Sequence, residues 1–272
     1  MNILLVRPPI SLAVAKSFYA FLRLEPLDLE IVGGGIAPPH ETRILDLILS
    51  RDPRRDFDAE VRRFQPEVIG FGGYSTQARE VKSLAASAKA IRPSCVVIAG
   101  GVHATIAPQD YGLPGVIDVV VRGEGATVMR RLIPVLEAGG DPGSVANCLS
   151  VRSPAFAELA RLGPPELPPL SEAPRPRRDL VDRARYYCIW SGGRGEKVKT
   201  LFPPVATLRT SVGCAFRCSF CVVHFLAHGK YLQRAPEDVV DEIAALPEEH
   251  IYFVDDEMFL NPNRARRMAE LL

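Results

Sequence analysis

Residues 95–105, CVVIAGGVHAT, are the clearest example of the sequence pattern that decides the fold. Residues 95–99 have no polar interruption beyond the cysteine, which is typical of a strand buried on both faces of a parallel sheet. Two glycines follow at once, and glycine lets a backbone approach a ligand closely. The stretch therefore predicts a buried strand whose carboxyl end opens into a loop suited to ligand binding.

The same pattern recurs on both sides of this stretch. Further strands are predicted at 2–6 (NILLV), 42–47 (TRILDL), 67–71 (EVIGF) and 117–121 (IDVVV). Helices are predicted between them, at 57–64, 77–91 and 126–138, from the helical spacing of apolar residues. Alternating strands and helices form a parallel sheet covered on both faces, and its ligands sit at the carboxyl ends of the strands. We therefore predict an α/β, doubly wound, Rossmann-like domain over residues 1–140.

The chain changes character after residue 140. Residues 141–204 are rich in proline and weak in apolar periodicity, so they are predicted to be a linker. Residues 205–272 resume the strand–helix rhythm, with predicted strands at 206–209 and 251–254 and predicted helices at 236–246 and 263–272. Two strand–helix units are predicted to be the incomplete start of a second domain.

A cysteine motif opens this second domain within Ser211–Cys221, SVGCAFRCSFC. Cys214, Cys218 and Cys221 stand in C-x3-C-x2-C spacing. A cluster of four irons takes one external ligand per iron, so three thiolates leave the fourth iron open to a small molecule. Two alternatives stay open: a zinc site completed by His224, and cysteines unrelated to any metal. A disulfide framework is not expected, because the other three cysteines are scattered.

Composition narrows the class of protein. The chain has 272 residues, of which 47% are hydrophobic and 24% charged, as in ordinary globular proteins. A net charge of +1 gives no reason to expect nucleic-acid binding. No apolar run approaches the roughly 20 residues of a membrane span, and the amino terminus lacks the features of a signal peptide. We therefore expect a cytoplasmic protein with no membrane span.

Four loop motifs and the cysteine motif together resemble one known family. The motifs are RPP at 7–9, YST at 74–76, GGVHAT at 100–105 and DVVVRGEG at 118–125. In this order they look like the cobalamin-binding domain that precedes the radical S-adenosylmethionine (SAM) domain in B12-dependent radical SAM enzymes. The resemblance covers residues 1–140 and 205–262. It implies a cobalamin-binding Rossmann-like domain followed by part of a (β/α)6 radical SAM barrel.

The resemblance also implies site residues. Cys214, Cys218 and Cys221 would hold a [4Fe–4S] cluster, while Phe220, Asp255 and Asp256 would contact SAM. The implied cobalamin contacts are Pro8, Pro9, Ser75, Thr76, Gly100, Gly101, His103, Ala104, Thr105, Gly123, Glu124 and Gly125. The Asp-x-His-x-x-Gly motif of proteins that ligate cobalt through histidine is missing, so His103 is not assigned as a cobalt ligand.

Plainer interpretations of three of these features stay open. His103 also suits the surface of an ordinary strand–helix turn, and Glu124 suits the cap of a helix. Asp255 and Asp256 suit a solvated strand end. No catalytic residue and no substrate position is assigned from the sequence.

The function implied by the resemblance is methylation of an unactivated carbon, using the [4Fe–4S] cluster, SAM and methylcobalamin. A non-methylating oxidative cyclase or ring-rearranging enzyme is the first alternative, and a non-catalytic cobalamin-binding or zinc-stabilised module is the second. The expected partners are a small-molecule substrate and an electron donor such as flavodoxin or ferredoxin. Since a full barrel needs more strand–helix units, we expect a C-terminal truncation or a half-barrel completed by a second polypeptide, with little turnover by this chain alone.

Overall fold

The structure is a computed structural model that describes residues 1–10, 21–165, 167–189 and 203–272, together with Ser17. The chain divides into two compact units. The first unit consists of Met1–Ala13, Asp28–Leu167 and Ala173–Leu180. The second unit consists of Val14–Leu27, Pro168–Glu172 and Val181–Leu272.

The strands and helices of the described residues are numbered along the chain. The strands are β1 (Asn2–Arg7), β2 (Leu22–Arg23), β3 (Glu41–Asp46), β4 (Val68–Gly72), β5 (Val96–Gly100), β6 (Val119–Val121), β7 (Cys148–Ser150), β8 (Tyr187–Cys188), β9 (Ala206–Leu208), β10 (Ser211–Val212), β11 (Leu232–Gln233) and β12 (Ile251–Phe253). The helices are α1 (Leu27–Gly34), α2 (Pro53–Phe64), α3 (Ala78–Ile91), α4 (Gly101–Ile106), α5 (Gly125–Glu137), α6 (Phe156–Leu159), α7 (Val223–Leu226), α8 (Pro236–Ala244) and α9 (Pro262–Leu271). Shorter 3-10 turns connect several of them.

The first unit is built on a six-stranded sheet of order β3-β1-β4-β5-β6-β7. The pairs are parallel except for β6 with β7. Alternate residues of each strand enter two separate cores: Leu4 and Val6 pack in one, and Ile3 and Leu5 in the other. Since successive strand residues point to opposite faces, both faces of the sheet are covered. The predicted doubly wound α/β class is confirmed.

The structure places ordered elements within the predicted linker, namely β7, α6 and β8. Strand β7 pairs antiparallel with β6, and Leu149 and Val151 are buried beside it, so the sheet extends beyond residue 140. A strand of three residues between turns is too short for apolar periodicity to reveal. Residues 166 and 190–202 of the predicted linker lie outside the described residues. The three-part division at residues 140 and 205 stays a prediction.

The second unit repeats the parallel strand–helix pattern. Strand β9 pairs in parallel with β12, and helices α8 and α9 follow them. Leu208, Val239 and Met268 form the centre of the core between these elements. Strands β10 and β11 form a small antiparallel pair, and the three cysteines of the motif lie between them in the sequence. This arrangement agrees with the predicted start of a strand–helix barrel.

Candidate functional site

The first candidate site lies where the strand order of the first unit reverses. The chain passes from β1 to β3 on one side and then to β4 on the other, so the reversal falls between β1 and β4. In open α/β sheets this reversal creates a crevice at the carboxyl ends of the two strands. Here those ends lead into Pro8-Pro9 and Gly73–Thr76, which are two of the predicted ligand loops.

Gln77 joins the two loops at this crevice, and the sequence analysis missed it. Its Nε2 donates to the carbonyl oxygens of Pro8 at 2.9 Å and Pro9 at 3.3 Å. Its Oε1 accepts from the Tyr74 backbone N–H at 3.1 Å. The side chain of Gln77 is thereby fixed, while Ser75 and Thr76 beside it are exposed. A buried glutamine therefore sets the distance between the loops and leaves the hydroxyl residues accessible.

The loop predicted after β5 begins a helix instead. Gly100 ends the strand and Gly101 starts α4, where its φ of +88° is in the left-handed region. The backbones of β4 and α4 meet here, since Gly73 N donates to Gly100 O at 3.3 Å and His103 N donates to Gly73 O at 3.2 Å. A Cβ on Gly101 would lie 2.7 Å from Gly73 N. The glycine is required by this close approach of two backbones.

Two residues of the same loop differ from their predicted placement on the crevice surface. Ala104 is 0% exposed and belongs to the hydrophobic core, because α4 turns its side chain inward. Thr105 is also buried, and its Oγ1 donates to Gly101 O and accepts from Gly123 N, both at 2.9 Å. Thr105 thus links the loops that follow β5 and β6. The contact assigned to Ala104 is not supported by this placement.

Glu124 caps α5. Its carboxylate accepts from the backbone N–H groups of Ala126 and Thr127, each at 2.8 Å, and from Thr127 Oγ1 at 2.6 Å. A carboxylate at this position satisfies free N–H groups and the positive end of the helix dipole. Glu124 therefore acts as a helix cap in this structure, which is the alternative that the sequence analysis left open. Gly123 and Gly125 on either side remain partly exposed.

The second candidate site is the cysteine loop between β10 and α7. Asp255, just after β12, binds the backbone at the start of this loop. Its Oδ1 accepts from the N–H groups of Thr210 at 2.6 Å and Ser211 at 3.1 Å. Its Oδ2 accepts from Thr210 Oγ1. Asp256 Oδ2 accepts from Gly213 N at 2.8 Å. The two aspartates predicted to contact SAM therefore support the backbone that leads to the first cysteine.

Two arginines hold the same backbone from the other side. Arg264 is buried, and its guanidinium donates to Thr210 O at 2.9 Å and Arg234 O at 2.8 Å. Burial lowers the pKa of Arg264. Arg234 donates to Arg209 O at 3.1 Å and pairs with Glu242 at 2.7 Å. The contacts of Arg264 have no local signal in the sequence, since both of its acceptors are backbone oxygens distant along the chain.

The cysteines themselves are free thiols. Cys214 and Cys221 are partly exposed, Cys218 is exposed, and the ring of Phe220 between the last two is 91% exposed. Within the part of the chain that the structure describes, no three metal-ligating side chains lie together as a metal site would require, with or without His224. The donor set nonetheless suits a cluster, because three unpaired, accessible thiols follow a backbone fixed by four side chains.

Comparison with known proteins finds similarity to one family model and to several curated proteins. Residues 22–133 match the family of B12-binding domains. The chain is 29% identical over 258 residues to the hopanoid C-3 methylase of Methylococcus capsulatus, covering 93% of this chain and 46% of that protein. It is 28% identical over 205 residues to the anaerobic magnesium-protoporphyrin IX monomethyl ester cyclase of Rubrivivax gelatinosus, covering 74% of this chain and 34% of that protein.

A solved structure has the same fold. The radical SAM methyltransferase TsrM from Kitasatospora setae, with cobalamin and a [4Fe–4S] cluster bound, superposes with a TM-score of 0.65 at 20% identity. The match covers 99% of this chain and 50% of that one, so the chain spans about half the length of the proteins it resembles, or less. Residues 22–133 are thus similar to B12-binding domains, and the relatives of the chain include a methylase and a cyclase.

No helix in the described ranges is both long enough and apolar enough to cross a membrane.

Proposed function

We propose that this chain is the cobalamin- and cluster-binding part of a radical SAM enzyme that methylates an unactivated carbon of a small molecule. The observation that carries the proposal is the presence, in one chain, of a B12-binding domain and a C-x3-C-x2-C loop supported at the end of a barrel-like strand. When bound, the cofactors supply reductive cleavage of SAM, hydrogen abstraction and transfer of a methyl group from cobalamin. The protein binds, orients and shields them.

In the first unit, the proposed cobalamin contacts fall into two groups. Groups that face solvent at the strand ends would contact the cofactor directly: Pro9, Ser75, Thr76, Gly100, Gly101, Gly123 and Gly125. Residues that already bind other parts of the protein would support these contacts. The Pro8 carbonyl oxygen accepts a hydrogen bond from Gln77, Thr105 joins two loops, and Glu124 caps α5. His103 belongs to the supporting group, since its side chain is largely buried.

In the second unit, Cys214, Cys218 and Cys221 would each bind one iron. Phe220, the exposed aromatic beside Cys221, is proposed to pack against SAM at the open iron. Asp256 is exposed and remains a proposed SAM contact, whereas Asp255 is saturated by three donors and is assigned a supporting role. Since all six cysteines are free thiols, a reducing compartment such as the cytoplasm is the proposed location.

A second candidate function is supported by one observation. The cyclase from Rubrivivax gelatinosus is among the relatives, and its name describes ring formation rather than methylation. Product mass separates the two functions, because methylation adds the mass of one CH2 group and cyclisation does not.

The proposal is tested by cofactor content after anaerobic reconstitution with iron, sulfide and hydroxocobalamin. We expect about four irons per chain and a reduced-cluster EPR signal that SAM perturbs. Cys218→Ala should lose the signal, because the cluster then lacks one of its three protein ligands. Cys188→Ala is the matched control, since this thiol is also in the second unit but outside the motif. Zinc in place of iron, with no corrin retained through gel filtration, would assign the chain to the non-catalytic binding modules instead.

We also propose that the cysteine loop receives an acidic one-electron carrier of the flavodoxin or ferredoxin class. Arg217 lies between Cys214 and Cys218, is exposed and makes no ion pair with any described residue. The rings of Phe216 and Phe220 are exposed beside it. An unpaired cation among exposed aromatic rings favours an acidic protein partner and would steer its approach.

Reversing this charge should slow electron delivery. Arg217→Glu is expected to lower the rate of cluster reduction by reduced flavodoxin about tenfold at low salt, with a smaller difference at high salt. Arg217→Lys, which keeps the charge, should reduce at the wild-type rate. Dithionite, which needs no docking, should reduce all three proteins equally. Equal rates with flavodoxin would remove Arg217 from the docking surface and leave the cluster assignment intact.

A further inference from the structure

A chain of three polar side chains runs from the crevice of the first unit through a buried histidine to an exposed carboxylate. Ser75 Oγ lies within hydrogen-bond distance of His103 Nδ1, at 3.1 Å. His103 Nε2 lies 3.1 Å from Asp110 Oδ2, an ion-pair contact that is not aligned for a hydrogen bond. The ring of Tyr111 packs edge-on against the His103 ring, with centroids 5.3 Å apart at 87°. Both nitrogens of the histidine therefore have a polar neighbour, and an aromatic contact fixes the plane of the ring.

The order of these three groups favours one tautomer of the histidine. A carboxylate attracts the positive end of an N–H dipole, so of the two singly protonated forms of the ring Asp110 favours the one that carries its proton on Nε2. Nδ1 then carries a lone pair and can only accept a hydrogen bond. Ser75 Oγ is the donor within reach, and its hydroxyl proton is thereby directed inward to His103.

The direction of the Ser75 proton decides what the crevice offers to a ligand. With the proton turned toward His103, the exposed hydroxyl presents only oxygen lone pairs to the crevice. Such an oxygen recognises N–H donors and does not donate to carbonyl oxygens. We infer that Asp110 is a positioning residue that acts through His103 to make Ser75 an acceptor for the primary amide N–H groups of the bound cofactor. This inference rests on the proposed cobalamin site, because the edge of a corrin carries such amides.

The geometry also explains why His103 need not touch the ligand. Its side chain is 9% exposed, whereas Asp110 at the far end is 47% exposed. The carboxylate is therefore accessible to substitution without opening the core. Thr76, next to Ser75, is exposed as well, but no described contact connects it to His103.

The inference is tested by NMR of protein labelled with nitrogen-15 in histidine, together with hydroxocobalamin titrations. In the wild type, the His103 ring should carry its proton on Nε2 and not on Nδ1. Asp110→Ala should shift the ring toward the tautomer protonated at Nδ1 and weaken cobalamin binding by up to about fivefold, the value of one hydrogen bond. Asp110→Glu should restore both. Ser75→Ala should weaken binding equally, and the double variant should be no weaker than either single one, because both changes remove the same interaction.

Two results would overturn the inference. One is a wild-type ring protonated at Nδ1, and the other is additive losses from Asp110→Ala and Ser75→Ala. The NMR spectrum needs no cofactor, so it decides the tautomer even if the wild type binds no cobalamin. Failure of wild-type binding would reject the proposed function, whereas wild-type binding with additive losses would reject only the role of Asp110.

Discussion

Asp255→Ala is expected to destabilise the second unit by about 3–5 kcal/mol and to prevent stable incorporation of iron. The change removes a carboxylate that accepts two backbone N–H groups and one hydroxyl from Thr210 and Ser211, both of which are buried. Buried donors without acceptors cost about 1–3 kcal/mol each, and here they belong to the backbone that leads to Cys214. Chemical denaturation of the apo protein and iron content after reconstitution measure the two effects.

Two matched variants separate the cause from general damage. Asp255→Asn keeps one acceptor oxygen, and the Thr210 hydroxyl can rotate to accept from the new amide, so we expect a loss of only about 1–2 kcal/mol. Asp256→Ala removes a single hydrogen bond from an exposed carboxylate, and about 1 kcal/mol is expected. Equal losses in all three variants, or full iron content in Asp255→Ala, would show that the loop does not depend on this carboxylate.

Much of the first unit could be predicted because most of its strands are short, mainly apolar runs. Strands β1, β3, β4 and β5 begin and end within one or two residues of their predicted bounds, since glycine, proline or charge terminates each run. The short strand β7 has no such signal. Helix α4 was predicted as a loop because Gly101 disfavours a helix locally, and only the contact with Gly73 explains its conformation.

The site was less predictable than the fold. The three cysteines could be identified because residue type and spacing define their chemistry. The partners that give other residues their roles could not: Ser75 and His103 are 28 residues apart, Thr210 and Asp255 are 45 apart, and Gln77 and Pro8 are 69 apart. Such pairs depend on how strands are ordered in the sheet, which no local pattern contains. Carboxylates predicted to meet ligands, such as Glu124, are bound to backbone N–H groups instead.

Gly101→Ala is expected to destabilise the first unit by at least about 3 kcal/mol and to abolish cobalamin binding. The new methyl group would lie 2.7 Å from Gly73 N and 2.9 Å from Gly73 O, and backbone atoms cannot move aside as the end of a side chain can. The φ of +88° adds about 1–2 kcal/mol of strain for any residue with a Cβ. Chemical denaturation and spectral titration with hydroxocobalamin give the two readouts.

Gly115→Ala isolates the strain from the clash. Gly115 has a similar φ of +82°, but a Cβ there would meet no atom within 4 Å. Gly115→Ala should therefore reduce the free energy of unfolding only by the cost of the backbone conformation, about 1–2 kcal/mol, and should bind cobalamin normally. If the two variants were equally destabilised, the contact between the β4 and β5 loops would not be tight. A larger loss at Gly101 that also abolishes binding would mean that the crevice requires the backbone of Gly73 to lie directly against α4, which explains why glycine occupies position 101.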